Sequence, residues 1–99
     1  MNLTEAELER LAILAEECAE VQQIIGKIIR HGYESYHPDD LDKTPNRKHL
    51  ERELGDLAFI INFCHENEDV NLLNLTAHIE RKSQTIQQYL HHNVVTPTE

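Results

Sequence analysis

Apolar residues recur at helical spacing in three long segments of this 99-residue chain, and no segment alternates in the two-residue rhythm of a strand. In the first, Leu8, Leu11, Ala15, Cys18, Ile25 and Ile29 follow one another at intervals of three and four, with Ile13, Ile24 and Ile28 widening the apolar surface beside them. Thr4 and Glu7 form the T-x-x-E spacing of a capping box, so this helix is predicted to start there and to run to about Arg30, where Gly32 stops it. The segment from about 31 to 45 carries Pro38 and Pro45 among polar residues and reads as a loop, with one short helical turn expected over Pro38 to Leu41. A second helix follows Pro45 and Asn46 and carries Leu50, Leu54, Leu57, Ile60, Ile61 and Cys64 to about Glu66. A third, capped by Asp69 or Asn71, places Leu72, Leu75, Ile79, Ile86 and Leu90 on one stripe as far as about His92, and residues 93–99 are expected to fray.

The expected fold is therefore all-α, a single domain over 1–99 built as a bundle of long helices. Apolar faces this wide exceed what so short a chain covers by itself, so the bundle is expected to be completed by homo-oligomerisation, as a homodimer or homotetramer.

Charge narrows the partners. Nine basic residues stand against 18 acidic ones, a formal net charge of −9, which argues against a nucleic acid or an anionic membrane surface as partner. No apolar run reaches membrane-spanning length and the N-terminal segment lacks the plan of a signal peptide. Two cysteines, Cys18 and Cys64, are too few for a disulfide framework, so a cytoplasmic setting is expected.

The acids are where chemistry is expected. At about 100° per residue, Glu53 and Asp56 project from within the apolar arc of the second helix, and Glu17 and Glu20 fall among the flanking apolar residues of the first. Four carboxylates near apolar surface need a positive partner or must take up protons. With no converging His or Cys, the donor set suits Mg2+, with Mn2+ as the other candidate, and Mg2+ commonly takes its remaining ligands from substrate phosphates. A solvated helix surface is the plain alternative for Glu16, Glu17 and Glu20 taken alone.

The pattern Glu16-Glu17-x-x-Glu20 followed by Glu53-Leu54-Gly55-Asp56-Leu57 resembles the E-E-x-x-E and E-x-x-D signature of MazG-like nucleoside triphosphate pyrophosphohydrolases, in the all-α NTP pyrophosphatase superfamily, over roughly Leu11 to His92. The resemblance implies hydrolysis of a nucleoside triphosphate to the monophosphate and pyrophosphate, with Glu17, Glu20, Glu53 and Asp56 as metal ligands and Glu16 orienting or deprotonating the attacking water. It also implies a phosphate contact for Lys82; His49 and Lys48, one turn before Glu53, are further substrate-binding candidates. Phosphoryl transfer is compatible with such a set, since the protein acts there mainly by positioning and charge stabilisation, and no phosphate-cradling glycine loop or Ser/His/Asp arrangement is present. Phosphoribosyl-ATP or dUTP/dCTP pyrophosphatases of the same superfamily are the neighbouring alternatives, and a non-catalytic helical dimerisation or regulatory module is the alternative of another class. A histidine metal site is not expected: His91 and His92, or Cys64 and His65, point about 100° apart on a helix, and the one Glu-x-x-His spacing, Glu34 to His37, lies in the loop.

Overall fold

The computed structural model of the chain describes residues 2–92 and is all-helical over them, with the expected frayed segment 93–99 outside that range. Three α-helices follow one another: α1 (Glu5–His31), α2 (Asn46–Glu66) and α3 (Leu72–Thr85), the last continued by a 3-10 turn over Ile86–Tyr89.

Local chemistry sets the ends. The Thr4 hydroxyl accepts from the Glu7 amide and the Glu7 carboxylate accepts from the Thr4 amide, which closes the expected capping box. At the other end Gly32 adopts φ 94°, a conformation that side chains disfavour, and its amide donates to the Ile28 carbonyl. Asn71, not Asp69, caps α3 by accepting from the Leu73 amide. Asp69 is engaged elsewhere: both its carboxylate oxygens accept from the Arg10 guanidinium, which ties the start of α1 to the end of α2. That hydrogen-bonded cation holds the Asp69 carboxyl below the usual carboxylate range.

Two expected elements change. Pro38 to Leu41 is not a helical turn but part of two successive tight turns, because side chains capture the amides a helix would use: His37 Nδ1 accepts from Asp39, and Asp40 accepts from Asp42 and Thr44. The α-helical part of α3 ends at Thr85 rather than near His92. Ser83 and Thr85 hydroxyls bond back to the Glu80 and Lys82 carbonyls, and the chain tightens to 3-10 geometry at Ile86.

Helices α1 and α2 form an antiparallel hairpin, joined at one end by Arg10–Asp69 and at the other by the loop. Asn46, buried at the first turn of α2, pins that loop: its side chain donates to the Gly32 carbonyl and its amide to the Ser35 carbonyl, while the Arg47 amide donates to Tyr33. The core is small. Among the described residues only Ile24, Ile60 and Cys64 are buried apolar side chains, and no residue of α3 is buried.

The face α1 turns inward differs from the one its main stripe suggests. Leu8, Leu11, Cys18, Ile25 and Ile29 are exposed, whereas Ile24 is buried and Glu17, Glu20, Val21 and Ile28 are half-buried. A radius of gyration of 16.9 Å, against about 13 Å for a compact chain of this length, records the same incomplete burial. Ile60, 1% exposed, is with Cys64 the most buried side chain of the hairpin; Ile60→Ala is expected to cost about 2–5 kcal/mol, read as a lowered midpoint in urea unfolding.

Candidate metal centre

Because the acid-bearing side of α1 is the side that meets α2, the two i,i+3 pairs confront each other across the hairpin. One carboxylate oxygen from each of Glu17, Glu20, Glu53 and Asp56 lies within 4.8 Å of all the others. Glu17, Glu20 and Glu53 are half-buried; Asp56 is exposed, so the expectation that it faces the interior is corrected. The α2 face beside it is uncovered, as Phe59 one turn on shows.

Electrostatics in this group is unfavourable without a cation. Glu20 hydrogen-bonds Glu53, stands beside the charge of Glu17 and is partly desolvated, and these effects, in that order, push its carboxyl up to about 7. Oε2 of Glu17 and Oε2 of Glu53 are buried with no hydrogen-bond partner. Arg52 approaches the other Glu53 oxygen, Nη2 to Oε1 at 3.2 Å, and is the one basic side chain that pairs with the four acids among the described residues. With Glu20 holding a proton below about pH 7 and Arg52 beside Glu53, Glu17 and Asp56 are left without a counter-charge, and one buried oxygen each of Glu17 and Glu53 has no hydrogen-bond partner.

This donor set fits a hard divalent cation. Two oxygens on opposite sides of Mg2+ stand about 4.2 Å apart, twice a bond length of about 2.1 Å, so a spread of up to 4.8 Å needs only a slight closure of the side chains around the ion. Orphaned buried oxygens are the groups such an ion would engage. All donors are oxygens, which disfavours zinc.

Three of the acids, Glu20, Glu53 and Asp56, line one end of a cleft of ≈ 780 Å³ between α1, α2 and the loop, and Glu17 stands behind them outside its wall. Its other walls include Ile24, Lys27, Arg30, Tyr36, His49 and Arg52. The volume is in the range of small-molecule sites, roughly 300–1,000 Å³.

The other residues singled out from the sequence divide. His49 is half-buried and lines the cleft. Lys48 and Lys82 are exposed and do not line it, and Lys82 sits on α3, which this chain leaves largely unburied. Glu16 is exposed and belongs neither to the acid group nor to the cleft wall, being turned about 100° from Glu17. Conversely, Lys27, Arg30 and Arg52 line the cleft without having been singled out. Spacing carries a signal for Lys27: it stands seven residues after Glu20, two turns on and on the same side of α1.

No protein-family model matches the chain, and searches of the curated proteins and of the solved structures returned no match. The candidate site therefore stands on its own geometry.

The raised Glu20 carboxyl has a direct consequence for stability. A group whose folded pKa lies above its unfolded value contributes stability that is present below the unfolded value and is lost as pH rises through the folded one. For Glu20 this window runs from 4.5 to about 7. Asp40 and Asp69 are held below the carboxylate range and stay ionised throughout it. The metal-free protein is expected to lose thermal stability between pH 5 and 7.5 in EDTA, as followed by circular dichroism, and Glu53→Gln is expected to flatten that slope by removing a charge and leaving a donor.

Proposed function

We propose that this protein is a metal-dependent nucleotide pyrophosphohydrolase that cleaves a nucleoside triphosphate to the monophosphate and pyrophosphate. The observation that carries the reading is the set of four carboxylates from two facing helices, two of them with orphaned buried oxygens and three of them lining the end of a cleft that also presents basic side chains. The E-E-x-x-E and E-x-x-D order of the acids along the chain supports the same reading.

Glu17, Glu20, Glu53 and Asp56 are the residues that would hold the cation, with Mg2+ the first candidate and Mn2+ the second. A divalent cation in their midst supplies charge neutralisation to the phosphate oxygens and makes water more acidic. The hairpin, tied at both ends, holds the carboxylates that would carry the cation in register across the packed face. In the reaction the water oxygen bonds to the α phosphorus, the bond from that phosphorus to the α,β-bridging oxygen breaks, and pyrophosphate leaves with the electron pair. The water's proton passes to a carboxylate of the group and on to solvent. Glu16 lies outside the cleft of this subunit, so proton transfer falls on the acid group itself.

The reading includes a homo-oligomer. Phe59 is 66% exposed although its ring stacks on Phe63 at 5.9 Å, Leu73 is 79% and Ile79 65% exposed, and the main stripe of α1 is bare. A second copy laid on these faces buries them and supplies the core this chain lacks. Thermal unfolding is then expected to shift upward with protein concentration, with a mass above one subunit by light scattering; Phe59→Glu is expected to lower both.

Activity is tested by pyrophosphate release from a panel of canonical and damaged NTPs and dNTPs with Mg2+ or Mn2+. Release is expected to need the metal and to fall by about 100-fold or more in Glu53→Gln and in Asp56→Asn, the size of loss seen when a key electrostatic group is removed. No release from any nucleotide by a folded wild-type protein would instead favour a helical interaction module.

A further inference from the structure

The cleft continues beyond the carboxylates along the C-terminal half of α1, past Gln23 and Ile24 to Lys27 and Arg30. Lys27 lies two turns beyond Glu20, about 10 Å along the helix axis, on the same side. Arg30 lies back along the helix over Gly26: its Nη1 stands 3.4 Å from the place where a side-chain carbon on Gly26 would be, an ordinary contact distance. Side chains on a helix lean toward its N-terminus, which here is the direction of the acids.

Arg10, Arg47 and Arg52 are each paired with an acid; among the described basic side chains that make no ion pair or side-chain hydrogen bond, Lys27 and Arg30 are the two that line the cleft. In a chain with twice as many acidic as basic residues, two unpaired cations lining the cleft whose other end is walled by Glu20, Glu53 and Asp56 make a bipolar site. A ligand matching it is an anion at one end and bridges to a cation at the other.

We propose that Lys27 and Arg30 form the pyrophosphate subsite: they take the β- and γ-phosphates while the α phosphorus lies at the carboxylates, and the nucleoside points away from the C-terminal half of α1. This assignment rests on the pyrophosphohydrolase reading. Charge decides the orientation. The β,γ half carries most of the substrate's negative charge and gains more as the α,β bond breaks, so two cations stabilise it more in the transition state than in the ground state. A neutral nucleoside in the same place would leave both cations unpaired. Recognition by this subunit therefore falls on the polyphosphate rather than on the base, and the product pyrophosphate is held longer than the monophosphate.

The test is calorimetric binding of inorganic pyrophosphate in the presence of Mg2+ to the wild type, Lys27→Gln, Arg30→Gln and Arg81→Gln, beside binding of Mn2+ alone to each. Arg81, on α3 and outside the cleft wall, controls for net charge. Lys27→Gln and Arg30→Gln are expected to weaken pyrophosphate binding by about tenfold each, the scale of a lost charged hydrogen bond, with Mn2+ affinity kept and Arg81→Gln unchanged. Unchanged pyrophosphate affinity in both variants, or a loss as large in Arg81→Gln, overturns the subsite and leaves the pyrophosphohydrolase reading standing. Binding of a nucleoside monophosphate that weakens in place of pyrophosphate reverses the orientation and overturns it too. A wild type that binds no Mn2+ overturns the pyrophosphohydrolase reading itself, and the subsite with it.

Discussion

Mutual repulsion among four carboxylates is the constraint around which this hairpin is arranged. Packing α1 against α2 by the acid-bearing side brings Glu17 and Glu20 against Glu53 and Asp56, when the richer apolar stripe of α1 was the obvious face to bury. The protein accepts two orphaned buried oxygens and a carboxyl raised to about 7 as a result. A fold selected only for burial would do the reverse. Arrangements in which local stability is given up at one place are those where a ligand is expected to restore it.

The rest of the molecule follows from that choice. With Glu17, Glu20 and Glu53 half-buried on the packed side, only three apolar side chains are buried among the described residues, so the hairpin relies on its ends: the Arg10–Asp69 pair at one and buried Asn46 with its two loop carbonyls at the other. Those ends fix the register that sets Glu20 opposite Glu53. The bare stripe of α1, the stacked Phe59 and Phe63 and the unburied α3 are the complement of the same decision. The acid group and the bare apolar stripe are thus two sides of one packing choice: the face of α1 that meets α2 carries Glu17 and Glu20, and its richer apolar face is left exposed.

Much of this was legible in the residues. Helix ends marked by Thr4, Glu7, Gly32 and Asn71 are local chemistry, and local chemistry reads directly from sequence. Convergence of the two acid pairs was legible because carboxylates within apolar arcs stand out. The departures come from competition that spacing does not encode. Asp40 and His37 capture amides and replace a helical turn with two tight turns, and the hydroxyls of Ser83 and Thr85 tighten the end of α3. Which of two apolar faces on α1 turns inward depends on what α1 packs against, so of the cations that line the cleft Lys27 carries a spacing signal along the chain, whereas Arg30 emerges only when the helices are docked. Lys82 and Lys48 look equally suitable along the chain and lie outside the cleft wall of this subunit.

The central claim, that the four acids are a cation site and not merely a strained cluster, is tested most directly by calorimetric titration of the metal-free protein with Mn2+ at several pH values in buffers of different ionisation enthalpy. The account requires saturable binding that displaces the proton held near Glu20, so proton release should be clear at pH 6.5 and should fade as pH rises above about 7. Saturable binding lost in Glu53→Gln would complete the agreement. A folded protein that shows no saturable Mn2+ binding, or binds it with no proton release at any pH, would contradict the account.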